Sequence, residues 1–368
     1  MARIFELDNG TGIIQLEDGL STSTEQQAGA LIKTPGVKTI ILDFCGLTSF
    51  DCQLPSMLVR LYNSCSQTRR RLLATGLSEN TRHIFKISGL NGSIPSFDSV
   101  EAAVASTGYT GSLDIEIRGK KPDTAARPPA VDNAWAGTVN RLAVRGMPAA
   151  AINLNVEGRR PAGPMQGFGQ LWQKTYRAEI RDAVIRPVEL IKILKDNFPE
   201  FQPASNRFYA SPAGIKPGEV IIINADTPGG LVVTGVMVLH ASDTCFTFIT
   251  PEGHPEAGWV TFRAYEEEGK VVMQIQGLAR ASDPVYEIAF RLAGSKLQQQ
   301  IWSHVLESLL RHIGSNAPVE VTPVCLDTRL KWTKIFNVFA NAQIWSMIYL
   351  PVILMRKLTG TRVKQQLG

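Results

Sequence analysis

The run VKTIILD, residues 37–43, is apolar at its centre and rich in β-branched side chains, the pattern of a strand buried on both faces. After it Leu54, Met57, Leu58, Leu61 and Tyr62 recur at helical spacing, with Asp51 placed to cap the helix and Pro55 early enough in it to be tolerated. RRRLLATGL then reads as a second strand and turn. SENTRHIFKISGL reads as a second helix, with Ser78 at its N-cap and Gly89 just past its end. SFDSVEAAVAS gives a third. Strand–helix alternation predicts an α/β domain with a mostly parallel sheet over residues 1–117.

Residues 118–136 are rich in Lys, Arg, Ala and Pro and lack apolar periodicity, so they read as a linker. Beyond Arg159 the pattern changes. RRPAGPMQGFGQLWQKTYRAEI is a Gly/Pro-rich loop running into a strand, and RDAVIRPVELIKILKDNFPEF gives a short helix. EVIIINA, LVVTGVMVLHA, TCFTFIT, GWVTFRAYEEE and KVVMQIQGLAR follow as strands, broken by TPGG, SD, PEGHPEA and EEEG. Short strands with such turns predict an antiparallel sheet. One long helix closes the series, with Asp283 or Ser282 as cap, Pro284 in its first turn and Gly314 past its end. Its apolar stripe runs through Val285, Ile288, Ala289, Leu292, Leu297, Ile301, Val305, Leu309 and Leu310. This sheet and helix define an α+β domain over residues 137–326.

Ile335 to Met355 contains no formal charge and as a helix would be about 31 Å long, the depth of a bilayer core. Basic residues flank it on both sides. Asn337, Asn341, Gln343, Ser346 and Pro351 interrupt it, and their polar groups are costly in lipid unless paired. Three placements are open for residues 327–368: a helix lying at a membrane interface, a helix closing over the preceding domain or a partner, and a full span. Trp332, Trp345, Tyr349, Arg356 and Lys357 are the candidate membrane contacts.

A length of 368 residues suits two or three domains. Net charge is −3 over residues 1–117, +2 over 118–326 and +6 over 327–368, so the basic excess is local. That argues against a nucleic-acid surface and for a contact between the C-terminal segment and something anionic. The five cysteines are few and unpaired in spacing, which supports neither a disulfide scaffold nor a thiol zinc site. The N-terminus MARIFELDNG has no apolar core of a secretory signal. The expected location is cytoplasmic, peripheral to the inner face of a membrane.

The features from Val37 to Ser106, ILDFCGLTSFD, ATGLSENTRHIFKISGL and FDSVEAAVA, resemble a STAS domain, the fold of anti-sigma-factor antagonists and sulphate-transporter tails. The resemblance implies a protein partner. The family's phosphorylated Ser or Thr follows the Asp in a D-S-S-G-like turn; here that stretch is Asp51-Cys52-Gln53-Leu54, with neither the hydroxyl nor the glycine. Ser49 and Ser56 lie near but do not match.

FTFITPEGHPEAGWVTFRAY, with ARASDP after it and GPMQGFGQLWQKTY before it, resembles an uncharacterised bacterial and plant family of the START-like, or helix-grip, superfamily. The resemblance implies an antiparallel sheet around a long helix, enclosing a cavity for a lipid or other hydrophobic molecule. Trp172, Tyr176, Phe246, Phe248, Trp259, Phe262 and Tyr286 lie on segments that would line it, or would equally fill a core. His254 and Glu256 form either an acid–base pair at its mouth or a hydrogen-bonded turn. Asp283 is either a cavity carboxylate or an N-cap. Arg159 and Arg160 would grip an anionic head group or stand free at the surface. GPMQGFGQ lacks the Lys-Ser/Thr of a phosphate-binding loop, and no metal-ligand spacing or nucleophile elbow appears. No cofactor is expected beyond a bound lipid or hydrophobic small molecule. The leading reading is a membrane-associated binding protein that docks a partner through its STAS-like domain. An anti-sigma-antagonist type of signalling protein and a START-like enzyme are the alternatives.

Overall fold

The computed structural model describes residues 3–16, 22–47, 52–111, 134–148, 151–182 and 184–358. The chain forms two compact units, Met1–Thr138 and Val139–Gly368.

The first unit holds β1 (Arg3–Leu7), β2 (Thr11–Gln15), α1 (Thr22–Lys33), β3 (Thr39–Asp43), α2 (Leu54–Gln67), β4 (Arg71–Thr75), α3 (Glu79–Ile87), β5 (Ser96–Phe97) and α4 (Val100–Ala105). Its five-stranded sheet has the order β1-β2-β3-β4-β5. β1 and β2 form an antiparallel hairpin, and the remaining pairs are parallel. The central strands are wholly buried, as a sheet covered by helices requires. Ile13, Ile41 and Leu73 pack under Val100, Ala103 and Val104 of α4. Gly12 lies against Leu31 of α1, where a Cβ would come within 2.6 Å of that side chain. Arg60 of α2 holds Glu25 of α1 with two hydrogen bonds of 2.5 and 2.7 Å. Ser78 caps α3 by accepting from the Thr81 amide, and Gly89 beyond it has φ +74°.

The second unit holds β6 (Pro161–Ala162), β7 (Leu171–Ile180), α5 (Pro187–Asp196), β8 (Asn206–Tyr209), β9 (Val220–Thr227), β10 (Gly230–Ala241), β11 (Cys245–Pro251), β12 (Glu256–Glu267), β13 (Lys270–Ala281), α6 (Pro284–Ala289), α7 (Ser295–His312), β14 (Glu320–Asp327) and α8 (Ala342–Leu358). It is a large antiparallel sheet in the order β14-β7-β13-β12-β11-β10-β9-β8, with β6 paired to β11. α5 and α7 bury Leu190, Ile191, Leu194, Val305, Leu306, Leu309 and Leu310 against one sheet face. Phe198 is the centre of that core, with ring centroids 5.3 Å from Phe208, Phe248 and Phe262.

The long helix is not continuous. α6 and α7 are joined by a π-helical turn, Phe290–Gly294. The Phe290 ring folds back over Gly294, where a Cβ would come within 2.8 Å of it. Only the C-terminal half of the predicted stripe reaches the core; Val285, Ile288 and Leu292 are exposed. Val285 and Leu292 stand over a cavity rather than over packed side chains.

The C-terminal segment docks on this unit. A 3-10 helix, Trp332–Ala340, leads into α8. Asn341 caps α8 by accepting from the Ile344 amide at 3.0 Å, and its Nδ2 donates to Asp283 Oδ2 at 2.8 Å. Asp283 caps α6 in turn, accepting from the Val285 and Tyr286 amides. The Gln343 amide donates to the Tyr286 hydroxyl at 2.9 Å. Ser346 accepts from the Val233 amide at 3.0 Å, and Asn155 donates to the Val233 carbonyl at 2.8 Å, both on the edge of β10 that β11 leaves unpaired. Gly253, φ +86°, lies so close to Ala340 that a Cβ there would fall 1.9 Å from its carbonyl oxygen. The polar residues that interrupt the apolar run are therefore satisfied by protein. Among the described residues no helix is long and apolar enough to cross a membrane.

Asn341→Ala removes a cap and a donor to a buried carboxylate, and is expected to cost about 1–3 kcal/mol in urea unfolding. Met347→Ala, on the exposed face of α8, should stay within about 0.5 kcal/mol. Equal effects of the two would show that the segment is not docked as described.

Candidate functional site

A cavity of about 510 Å³ lies between α6–α7 and the sheet. β10 contributes Val232, Thr234 and Val236 to its wall, β11 Phe248, and α7 Ile301 and Trp302. Most of the wall is apolar, with one polar group at Lys174, His254, Glu256 and Gln298 and another at Ser205, Asn206, Asp226, Thr227 and Gln343.

At one polar end, three elements bring three side chains together. Lys174 projects inward from β7 in the same phase as Trp172 and Tyr176. Its Nζ donates to Gln298 Oε1 at 2.5 Å and to Ser295 Oγ at 2.9 Å, both on α7. Gln298 Nε2 in turn donates to both carboxylate oxygens of Glu256, each at 2.6 Å. One amide thus bridges an ammonium and a carboxylate. Burial pushes the Glu256 carboxyl up, against the lowering pull of Lys174 and Gln298. Burial pushes the Lys174 ammonium down, with Glu256 opposing.

His254 lines the same cavity but is not paired with the Glu256 carboxylate. Its Nδ1 lies 3.0 Å from both the amide nitrogen and the carbonyl oxygen of Glu256 and is committed to that backbone, leaving Nε2 as the remaining ring nitrogen. The His254 carbonyl accepts from the Ser282 hydroxyl, which closes the turn. Burial pushes the imidazole down to about 4, so it is neutral near pH 7. Asp283 is fully buried as the α6 cap and does not line the cavity. Burial raises its carboxyl, opposed by the amides of Tyr286 and Val285 and by Asn341.

Trp172, Phe248, Trp259 and Tyr286 contribute to the cavity wall. Tyr176, Phe246 and Phe262 lie in the packed core instead, the last two stacked with centroids 4.5 Å apart. Arg159 and Arg160 are away from the cavity, and Arg160 pairs with Glu252 at the surface. Trp332 is exposed and meets Phe168 edge-on. Trp345 donates to the Phe339 carbonyl and stacks on Tyr349. Arg356 and Lys357 lie in α8, their side chains outside what the structure describes. Asp51 lies outside the described residues, while Cys52 is buried just before α2, whose N-cap position is Gln53. Sequence reasoning missed Lys174, Gln298 and Thr234. Lys174 carried a signal, since it sits midway between two inward aromatics at strand period.

Residues 13–103 match the STAS domain family, and the chain carries a STAS domain at its N-terminus. Among solved structures, the Bacillus cell fate determinant SpoIIAA in its phosphorylated form is 22% identical, covering 29% of this chain and 98% of that one with a TM-score of 0.26. An anti-sigma-factor antagonist (STAS) domain protein from Planctomyces limnophilus is 10% identical, covering 29% and 98%, with a TM-score of 0.27. The di-domain ARO/CYC StfQ of the steffimycin biosynthetic pathway is 11% identical, covering 39% of this chain and 51% of its own, with a TM-score of 0.32. At these TM-scores the likenesses carry nothing about function. Comparison with the curated proteins finds no match.

A histidine held low in the folded state destabilises that state as pH falls, because the unfolded chain takes up the proton first. The His254 contribution should fade between its ordinary value of about 6.5 and about 4. The raised carboxyls of Glu256 and Asp283 act in the opposite sense. The histidine's share is therefore the difference between wild type and His254→Gln in unfolding midpoints across that range. A difference that does not change with pH would contradict it.

Proposed function

We propose that the protein binds a hydrophobic small molecule in the cavity of its antiparallel unit and docks a protein partner through its STAS domain. The cavity carries the first half of this reading. It is of ligand size, mostly apolar, and bordered by the α6–α7 helix, whose Val285 and Leu292 face it. A sheet with a long helix across it is also what the START-like resemblance implies. The family match of residues 13–103 supports the second half, with Cys52 where the resembling antagonists carry a phosphorylated hydroxyl.

The C-terminal segment supports attachment to an anionic membrane surface on the cytoplasmic side. Trp332, Phe336, Phe339, Met347 and Ile348 are all more than half exposed. Arg329, Lys331 and Lys334 lie beside them in sequence. An exposed apolar strip with basic flanks inserts shallowly at a lipid headgroup layer.

Native mass spectrometry of the full chain purified from cells is expected to show a co-purifying mass of lipid or other hydrophobic character. A clean unliganded mass that also takes up no hydrophobic probe would overturn the cavity reading. Phe336→Asp with Phe339→Asp should weaken co-sedimentation with phosphatidylserine vesicles by about tenfold or more. Unchanged sedimentation would remove this strip from any membrane contact.

A further inference from the structure

We infer that the polar end of the cavity selects an uncharged oxygenated hydrophobe, whose hydroxyl or carbonyl enters the Lys174–Gln298–Glu256 cluster, over the same body carrying a carboxylate. This rests on the cavity-binding reading above and names its ligand class. An ammonium has three protons, and Lys174 spends two, on Gln298 and Ser295. Among the described residues, the Glu256 carboxylate receives one amide nitrogen, shared between its two oxygens, and keeps lone pairs unspent. A hydroxyl or carbonyl finds a donor and an acceptor side by side there.

The charge of the cluster sets the selection. It holds one cation, one anion and a neutral imidazole, and so sums to zero. A carboxylate or phosphate would bring a net charge into a cavity whose wall is mostly apolar, where it gives up hydration that no surplus cation restores. A neutral polar group does not. Thr234 supplies a second, independent pointer. It lines the same cavity and is 2% exposed, and its Oγ1 has no hydrogen-bond partner among the described residues. A buried hydroxyl left unpartnered is unusual unless another group arrives to pair it. A ligand with a second oxygen would do so.

The test uses pyrene, hydroxypyrene and pyrenecarboxylate with the full chain near neutral pH, read by energy transfer from the cavity tryptophans Trp172, Trp259 and Trp302. Hydroxypyrene should bind about tenfold or more tighter than either of the others. Glu256→Gln leaves Lys174 as the cluster's only charge, and should turn the preference toward pyrenecarboxylate. Lys174→Met should weaken hydroxypyrene with no gain for the carboxylate. Equal binding of the three probes by wild type, or an unchanged order in a folded Glu256→Gln variant, would overturn the selection and leave the cavity reading standing. No binding of any probe would overturn both. If Glu256→Gln does not fold, the wild-type order and Lys174→Met still decide.

Discussion

Two helix N-termini whose capping side chains are hydrogen-bonded to each other fix where the C-terminal segment sits on the second unit. The first amides of any helix lack partners within it, and buried ones must find them elsewhere. Asp283 takes two amides of α6, Asn341 takes one of α8, and the two caps are hydrogen-bonded to each other in a site where neither is exposed. Tyr286, one turn into α6, takes the Gln343 amide of α8. The direction of α6 over the cavity and the position of the C-terminal segment are thus one arrangement. Asp283, a carboxyl in an apolar setting, is accounted for by this structural role, with three donors on it and no face toward the cavity.

The sheet imposes a second condition. β10 continues past its last pairing with β11 at Met237, and toward Gly230 only β9 accompanies it. Its free edge would carry buried, unpaired backbone groups, which folded proteins rarely tolerate. Asn155 and Ser346 close that edge with side chains at Val233. The parting of β10 from β11 also gives the cavity its width there, since Val232, Thr234 and Val236 face into it beside Phe248 and Thr250. Ser346, one of the polar residues that make the C-terminal run a poor membrane span, is what lets it seal that edge of the sheet.

Much of this architecture was legible in the chain. The strands from Val220 to Ala281 announce themselves because apolar runs of strand length end at Gly, Pro and Asp turns. The α2, α3 and α4 helices show spacing and, for the last two, serine caps. β14 escaped because it is an edge strand, mostly exposed and carrying Pro323, where pattern and propensity both weaken. β1 is likewise a half-exposed edge, and β8 spans only four residues. The break at Phe290–Gly294 left one trace in the chain, a step of five from Leu292 to Leu297 in the apolar stripe where an unbroken helix steps by three or four. The cavity cluster was half visible. Glu256 and His254 stand out in GHPEAG, yet Gln298 sits in a run of glutamines whose periodicity says nothing about which one turns inward.

A mostly apolar cavity with polar clusters in its wall also has a fixed thermodynamic character. Apolar walls gain from any hydrophobic body of the right volume, so they set affinity and hardly discriminate among ligands. Buried polar groups work the other way. They add little net free energy when paired and cost much when left unpaired, so they discriminate against every ligand that fails to match them. Lys174, Gln298 and Glu256 come from β7, α7 and β12, and their bonds to one another already hold each in place before a ligand enters. That preorganisation also ties α7 to the sheet across the cavity. A group that competed for Gln298 would break the bonds it makes across the cavity, whereas one that used only the spare proton of Lys174 and the spare lone pairs of Glu256 would leave them intact.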